Sequence, residues 1–227
     1  RRFIDETMVS LALKNDARRL ELDRILKQRN TLLRQANGRL TQDIEFTLDV
    51  WDEKLAAVGD EVGHHRAIVL AQLQPVVEDA YQHLAGAPLA VGIHYEPAWR
   101  RTGLAHALKE ARMDDLRRGV STVGPHRDDI DLFLGPLPSR THASQGEMRC
   151  LALSLRLGAH QLVAQQTGMT PLLVLDDVLS ELDPERCTAL LSHLPRGQVV
   201  ITTASGLPAT ATPERILRIE GGQVVSE

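Results

Sequence analysis

The segment that most limits what this chain can fold into is Pro171-Leu172-Leu173-Val174-Leu175-Asp176-Asp177, an apolar run closed by two acids with helical patterns on both sides. Apolar runs without alternation, bounded by helices, belong to strands of a parallel sheet covered on both faces. A helix from Gln145 to Gln166 precedes the run and another, from about Pro184 to Leu194, follows it. A second apolar strand spans Val199 to Thr202, and Arg215 to Val225 reads as a terminal hairpin turning at Gly221-Gly222. This order predicts an α/β half with a mostly parallel sheet.

The first half is different. From Phe3 to Gln35 the apolar residues Ile4, Met8, Leu11, Leu22, Ile25, Leu26 and Leu33 recur mostly three or four apart without Gly or Pro, which predicts one long amphipathic helix stopped at Asn37-Gly38. A second helical pattern runs from about Phe46 to Leu84, so the two should pack antiparallel. Pro75 should kink it, and Gly59 and Gly63 should loosen its middle. Leu89 to Tyr95 reads as a strand and Trp99 to Arg118 as a helix. Ile130, Leu132 and Leu134 then share one side of a strand closed by Gly135-Pro136-Leu137-Pro138.

Net charge is -4, but residues 1–40 hold ten Lys/Arg against five Asp/Glu, and residues 41–100 hold three against ten. A basic helical arm can follow a nucleic-acid backbone, and a solvated helix face has the same composition. The longest stretch without a charged side chain, Leu157 to Leu175, is interrupted by glutamines, Gly and Pro171, so no membrane span is expected. Cys150 and Cys187 lack CxxC spacing and suit buried structural thiols in a reducing cytoplasm. His64-His65 reads as an exposed pair, because adjacent residues on a helix point about 100 degrees apart.

Consecutive carboxylates at the end of a buried strand lie where α/β folds bind ligands, and they are costly there unless a cation or protons compensate. Asp176-Asp177 therefore fits a Walker B pattern, the first Asp serving Mg²⁺ and the second the attacking water. A solvated strand end accounts for the same residues. Asp183-Pro184 is a good helix start, with Asp as N-cap and Pro at the first helical position. Upstream, Ser144-Gln145-Gly146-Glu147 opens a helix, and a Ser hydroxyl with free amides makes an anion site that Gly146 lets a ligand approach closely.

Taken in order, Gly124-Pro125-His126-Arg127-Asp128-Asp129, then Ser144 to Glu147, then Leu175-Asp176-Asp177-Val178-Leu179-Ser180-Glu181-Leu182-Asp183 resemble the RecF family of ABC/SMC-like ATPases. Arg1 to Asp5, Leu26 to Leu33 and Leu48 to Asp52 carry the same likeness. The resemblance implies an α/β C-terminal lobe of an ABC-type P-loop ATPase head over residues 119–227, in which Leu172 to Leu175 would pair in parallel with Val199 to Thr202. A helical arm domain of two long antiparallel helices would occupy 1–118. It implies ATP and Mg²⁺ as ligands of the intact protein. Ser144, Gln145, Gly146 and Glu147 would be the ABC signature reaching the ATP of the opposite subunit in a homodimer, and Ser180 and Asp183 the D-loop at its seam. Asp176 would serve the metal and Asp177 catalysis. Glu147 stands where Gln is frequent, its charge to be offset by a neighbour such as Arg149. Thr202-Thr203 replaces the switch histidine of transporter ATPases, as in the family itself.

The function so implied is recombinational repair and replication restart in the cytoplasm. The ATP-driven dimer would bind double-stranded or gapped DNA and help load RecA at single-strand gaps with RecO and RecR; no residue is singled out as a DNA contact. A Walker A motif needs Gly-Lys, and none of Lys14, Lys27, Lys54 and Lys109 follows a glycine. In the family the P-loop precedes the arm, so a trimmed chain beginning at Arg1, inactive alone, is the expectation. The intact family is a weak, DNA-stimulated ATPase. Other readings are a fragment of an SMC, Rad50 or RecN protein, for which the arm is short, a transporter ATPase, which would need the histidine, or a non-catalytic helical-hairpin interaction module.

Overall fold

A computed structural model describes residues 1–204 and 206–225. Its spine is α3 (Gln42–Ala85), whose 44 residues make a rod about 66 Å long at 1.5 Å per residue. Thr41 caps its start by accepting from the Ile44 amide, and Gly86 ends it in a left-handed conformation. Each apolar cluster takes residues from this rod: Leu48, then Leu55 and Val62, then Val69 to Tyr81, then Leu84. Pro75 lies inside the helix without ending it.

The single helix expected from Phe3 to Gln35 is two, α1 (Arg2–Leu11) and α2 (Lys14–Ala36). Ala12 is extended, and the Asn15 side chain donates 2.7 Å to the Met8 carbonyl, which also accepts from the Ala12 amide at 3.1 Å. The interruption lets two faces serve two cores. Ile4 and Met8 join Leu73, Val77 and Leu151, whereas Leu22, Ile25 and Leu26 join Leu55, Trp99 and Leu108. The expected helix Trp99 to Arg118 likewise divides into a 3-10 turn (Ala98–Arg101) and α4 (Leu104–Arg118), because Gly103 turns the chain at φ 87.

The helix runs unbroken through Gly59 and Gly63, and both are places where neighbouring side chains approach its backbone closely. A Cβ at Gly63 would lie 2.6 Å from the Trp99 ring and one at Gly59 2.3 Å from Leu104, so both side chains seat on bare backbone. Strand β1 (Val91–His94) pairs antiparallel with β2 (Asp131–Leu134), which turns into β3 (Leu137–Pro138). Past α5 (Ser139–His142), α6 (Gln145–Thr167) packs along α3, Leu153 and Leu157 meeting Leu84 and the following strand.

The α/β expectation holds, its parallel part lying in β4 (Leu173–Asp176) and β5 (Val199–Thr202), joined through α7 (Pro184–Ser192). The pairing is the expected parallel one, Leu173 opposite Val199 and Asp176 opposite Thr202. β6 (Arg218–Glu220) and β7 (Gln223–Val225) form the terminal hairpin. Burial on both faces does not hold: Leu173 and Leu175 are buried under α6 and α7, but Val174 is 55% and Val200 40% exposed. In this pair only one face has a covering layer.

Cys150 and Cys187 are buried free thiols whose pKa burial pushes up, which suits structural roles. His64 is exposed and His65 half-buried, its Nδ1 2.7 Å from the Glu61 carbonyl oxygen. No helix among the described residues is long and apolar enough to cross a membrane.

Candidate functional site

At the C-terminal end of β4 the two acids are held by the neighbouring strand. Thr202 Oγ1 donates to Asp176 Oδ1, and the Asp177 amide donates to Thr202 O at 3.0 Å and Oγ1 at 3.1 Å. Asp177 itself is left-handed, φ 49 and ψ 25, a conformation that costs a non-glycine residue roughly 1–2 kcal/mol. The chain thus turns sharply between the carboxylates into a 3-10 turn (Val178–Glu181), in which Ser180 Oγ donates 2.8 Å to the Asp177 carbonyl. Strain at a strand end carrying exposed acids marks a candidate site. Thr202 was legible only as the absence of a histidine; its hydroxyl orients Asp176.

Asp176 fits a Mg²⁺ site: it is a hard oxygen donor, exposed at a strand end. Among the described residues no group of three or more His, Cys, Asp or Glu could hold a metal ion. Asp176 would supply one protein oxygen and leave the rest to water and phosphate, as Mg²⁺ prefers.

Ser144 caps α6 as expected, and Glu147 closes a full capping box. The Ser144 hydroxyl accepts from the Glu147 amide at 3.3 Å, and the Glu147 carboxylate accepts from the Ser144 amide at 2.8 Å and its hydroxyl at 2.7 Å. These bonds hold the Glu147 carboxyl below its ordinary pKa. Gln145 is exposed beside it, and Asp183 caps α7 by accepting from the Arg186 amide at 2.9 Å, with Pro184 at the first helical position. Arg149, the expected partner of Glu147, instead donates 3.1 Å to the Glu181 carbonyl. The reason is helix geometry: two positions along, Arg149 projects about 200 degrees round α6 from Glu147. α6 and α7 thereby bring residues 144–147 and 180–183 together, while Asp176 and Asp177 stand beside β5.

In the Gly124 to Asp129 segment, Gly124, Pro125 and Asp128 are buried in a junction, while Arg127 and Asp129 are exposed. Asp128 accepts from Tyr95 Oη at 2.6 Å and Trp99 Nε1 at 2.7 Å. Arg66 donates to the Pro125 carbonyl at 2.7 Å and binds Asp5 with both Nε and Nη2. Burial, then the bond to Asp128, push the Tyr95 phenol far above its ordinary pKa, so it stays a donor. The basic excess of residues 1–40 is partly spent inside the chain: Arg2 pairs with Glu6, Arg18 with Glu61, Arg19 with Asp16 and Arg29 with Asp52 and Asp115.

No protein-family model matches the chain. It is 39% identical over 221 residues to the DNA replication and repair protein RecF of Streptomyces avermitilis, covering 90% of this chain and 58% of that protein. To the protein of the same name from Arthrobacter sp. (strain FB24) it is 34% identical over 269 aligned positions, covering all of this chain and 67% of that one. Among solved structures, that of the recombination mediator protein RecF-ATP in the RecFOR pathway superposes with a TM-score of 0.84 at 26% identity, over 99% of this chain and 61% of that one. The chain thus spans 58–67% of the length of these two curated relatives. At 34% identity over all of this chain and two thirds of the Arthrobacter protein, the chain belongs to the RecF family.

Proposed function

We propose that the chain is the C-terminal part of an ATP-controlled DNA-repair protein, residues 1–118 forming a helical arm and 119–227 the C-terminal part of an ABC-type ATPase head. The observation that carries this reading is the joining of the Ser144–Glu147 and Ser180–Asp183 turns on one side of α6 and α7, next to a strained Asp176-Asp177 strand end. Two of the four apolar clusters have all their buried members within residues 1–118, in keeping with an arm that has its own core.

In this reading ATP and Mg²⁺ bind between two subunits, and Ser144 to Glu147 face the γ-phosphate of the opposite one. Bound Mg²⁺ would neutralise phosphate charge. Thr202 keeps Asp176 turned toward the metal position, and the Asp177 carboxylate accepts a proton from the attacking water. The protein binds double-stranded or gapped DNA in the cytoplasm and acts with RecR, RecO and RecA. The solved structure of the recombination mediator protein RecF-ATP in the RecFOR pathway supports the ATP and pathway parts of this reading.

A P-loop lobe is the missing half of the site, and the bare face of β4 and β5, with Val174 and Val200 exposed, is the surface it would cover. Among the described residues the outer edge of β5 (Val199–Thr202) pairs with no further strand, and an unpaired apolar edge invites association. The chain alone should hydrolyse ATP at background and self-associate; adding a RecF-family P-loop lobe should restore nucleotide binding and monodispersity together. A monodisperse chain that hydrolyses ATP without the lobe would overturn the reading.

In the lobe-completed protein, Asp177→Asn should slow turnover on the order of 100-fold and prolong the ATP-bound dimer. Asp176→Asn should weaken Mg²⁺-dependent binding instead. A dimer lifetime shortened by Asp177→Asn in single-turnover sedimentation would reverse the two roles.

A further inference from the structure

The cation that lies on the signature turn comes from α7. A Cβ built on Gly146 would sit 2.6 Å from Arg186 Nη1, 3.5 Å from its Cζ and 3.7 Å from Nη2, so the guanidinium rests on the bare backbone of the first turn of α6. The same Nη1 is 3.2 Å from Asp183 Oδ2, and the Arg186 amide is the donor that Asp183 caps. One side chain therefore touches both turns, and it keeps 29% of its surface exposed.

A cation at a helix N-terminus opposes the helix dipole and needs a reason. Glu147 provides one. Its carboxylate already occupies the Ser144 amide and hydroxyl, so an incoming phosphate would meet a negative charge held on the very groups that should receive it. Arg149 is turned to Glu181 and does not offset that charge. Arg186 does, and its charge contributes to holding the Glu147 carboxyl below its ordinary pKa.

Resting on the composite-site reading above, we infer that Arg186 is a positioning residue: it ties the Ser144–Glu147 turn to the Ser180–Asp183 turn and supplies the positive charge that lets a phosphate approach beside Glu147. Gly146 is required because any side chain there would displace the guanidinium.

The test uses the lobe-completed protein. Arg186→Gln should weaken ATP-dependent dimerisation about tenfold, the loss of one charge-assisted contact, with monomer nucleotide binding unchanged. Arg186→Lys should recover part of the loss, Gly146→Ala should reproduce part of it, and Arg186→Gln with Glu147→Gln should recover most of it, because the uncompensated charge is gone. A purely structural role predicts no such rescue, so a double variant as weak as Arg186→Gln alone overturns the inference. Without nucleotide, amide exchange at residues 145–149 should rise in Arg186→Gln and fall back in Arg186→Lys. Unchanged exchange would overturn the tie between the turns even if the composite site itself fails. Failure of the composite site reads out separately, as dimerisation that survives Ser144→Arg.

Discussion

Arg29→Met is expected to destabilise the chain by about 3–5 kcal/mol, the usual cost of removing one partner from a buried ion pair. Arg29 is fully buried, donating 2.6 Å to Asp52 from Nε and 2.6 Å to Asp115 from Nη1, with Ser121 Oγ at 2.9 Å. Its loss leaves Asp115 bonded to Thr122 alone and Asp52 to Arg112 alone, two carboxylates inside a core of α2, α3 and α4. The melting temperature should fall by roughly 10 °C. Arg29→Met combined with Asp52→Asn and Asp115→Asn should recover much of this, since no charge is then left unpaired. A melt of Arg29→Met within a degree or two of the parent would show that the pair contributes nothing net, and the buried triad would then be a matter of specificity only.

Ser144→Arg in the lobe-completed protein should weaken ATP-dependent dimerisation on the order of 100-fold or more, because in the proposed composite site it places bulk and charge at the seam between subunits. Monomer nucleotide binding should be largely unchanged. The residue also caps α6, so Ser144→Ala, which removes the cap at about 1 kcal/mol without adding charge, is the control. Sedimentation at matched ATP would separate the two effects. Equal loss of nucleotide binding and dimerisation in Ser144→Arg would place Ser144 in its own subunit's nucleotide site and end the composite-site reading.

Much of this protein was legible from residue order because its signals are local. The Ser144 and Asp183 caps follow from a few consecutive residues and elementary backbone chemistry, and the antiparallel α2–α3 hairpin from two apolar periodicities joined by a short link, whereas the parallel pairing of β4 with β5 was an expectation of the family likeness. The family likeness was legible too, but not what its motifs do. Arg29 in the Leu26 to Leu33 stretch and Asp52 in the Leu48 to Asp52 stretch are partners in one buried network, and Asp128 anchors Tyr95 and Trp99. What only the tertiary structure decided are the pairings between distant segments. Residues that are near in sequence, such as Arg149 and Glu147, are carried to different sides by a helix that turns about 100 degrees per residue, while Arg186 reaches Gly146 from 40 positions away because α6 and α7 contribute to one apolar cluster. Periodicity specifies which face of an element is apolar; which charge meets which carboxylate depends on how the faces are brought together, and that is a property of the assembled core.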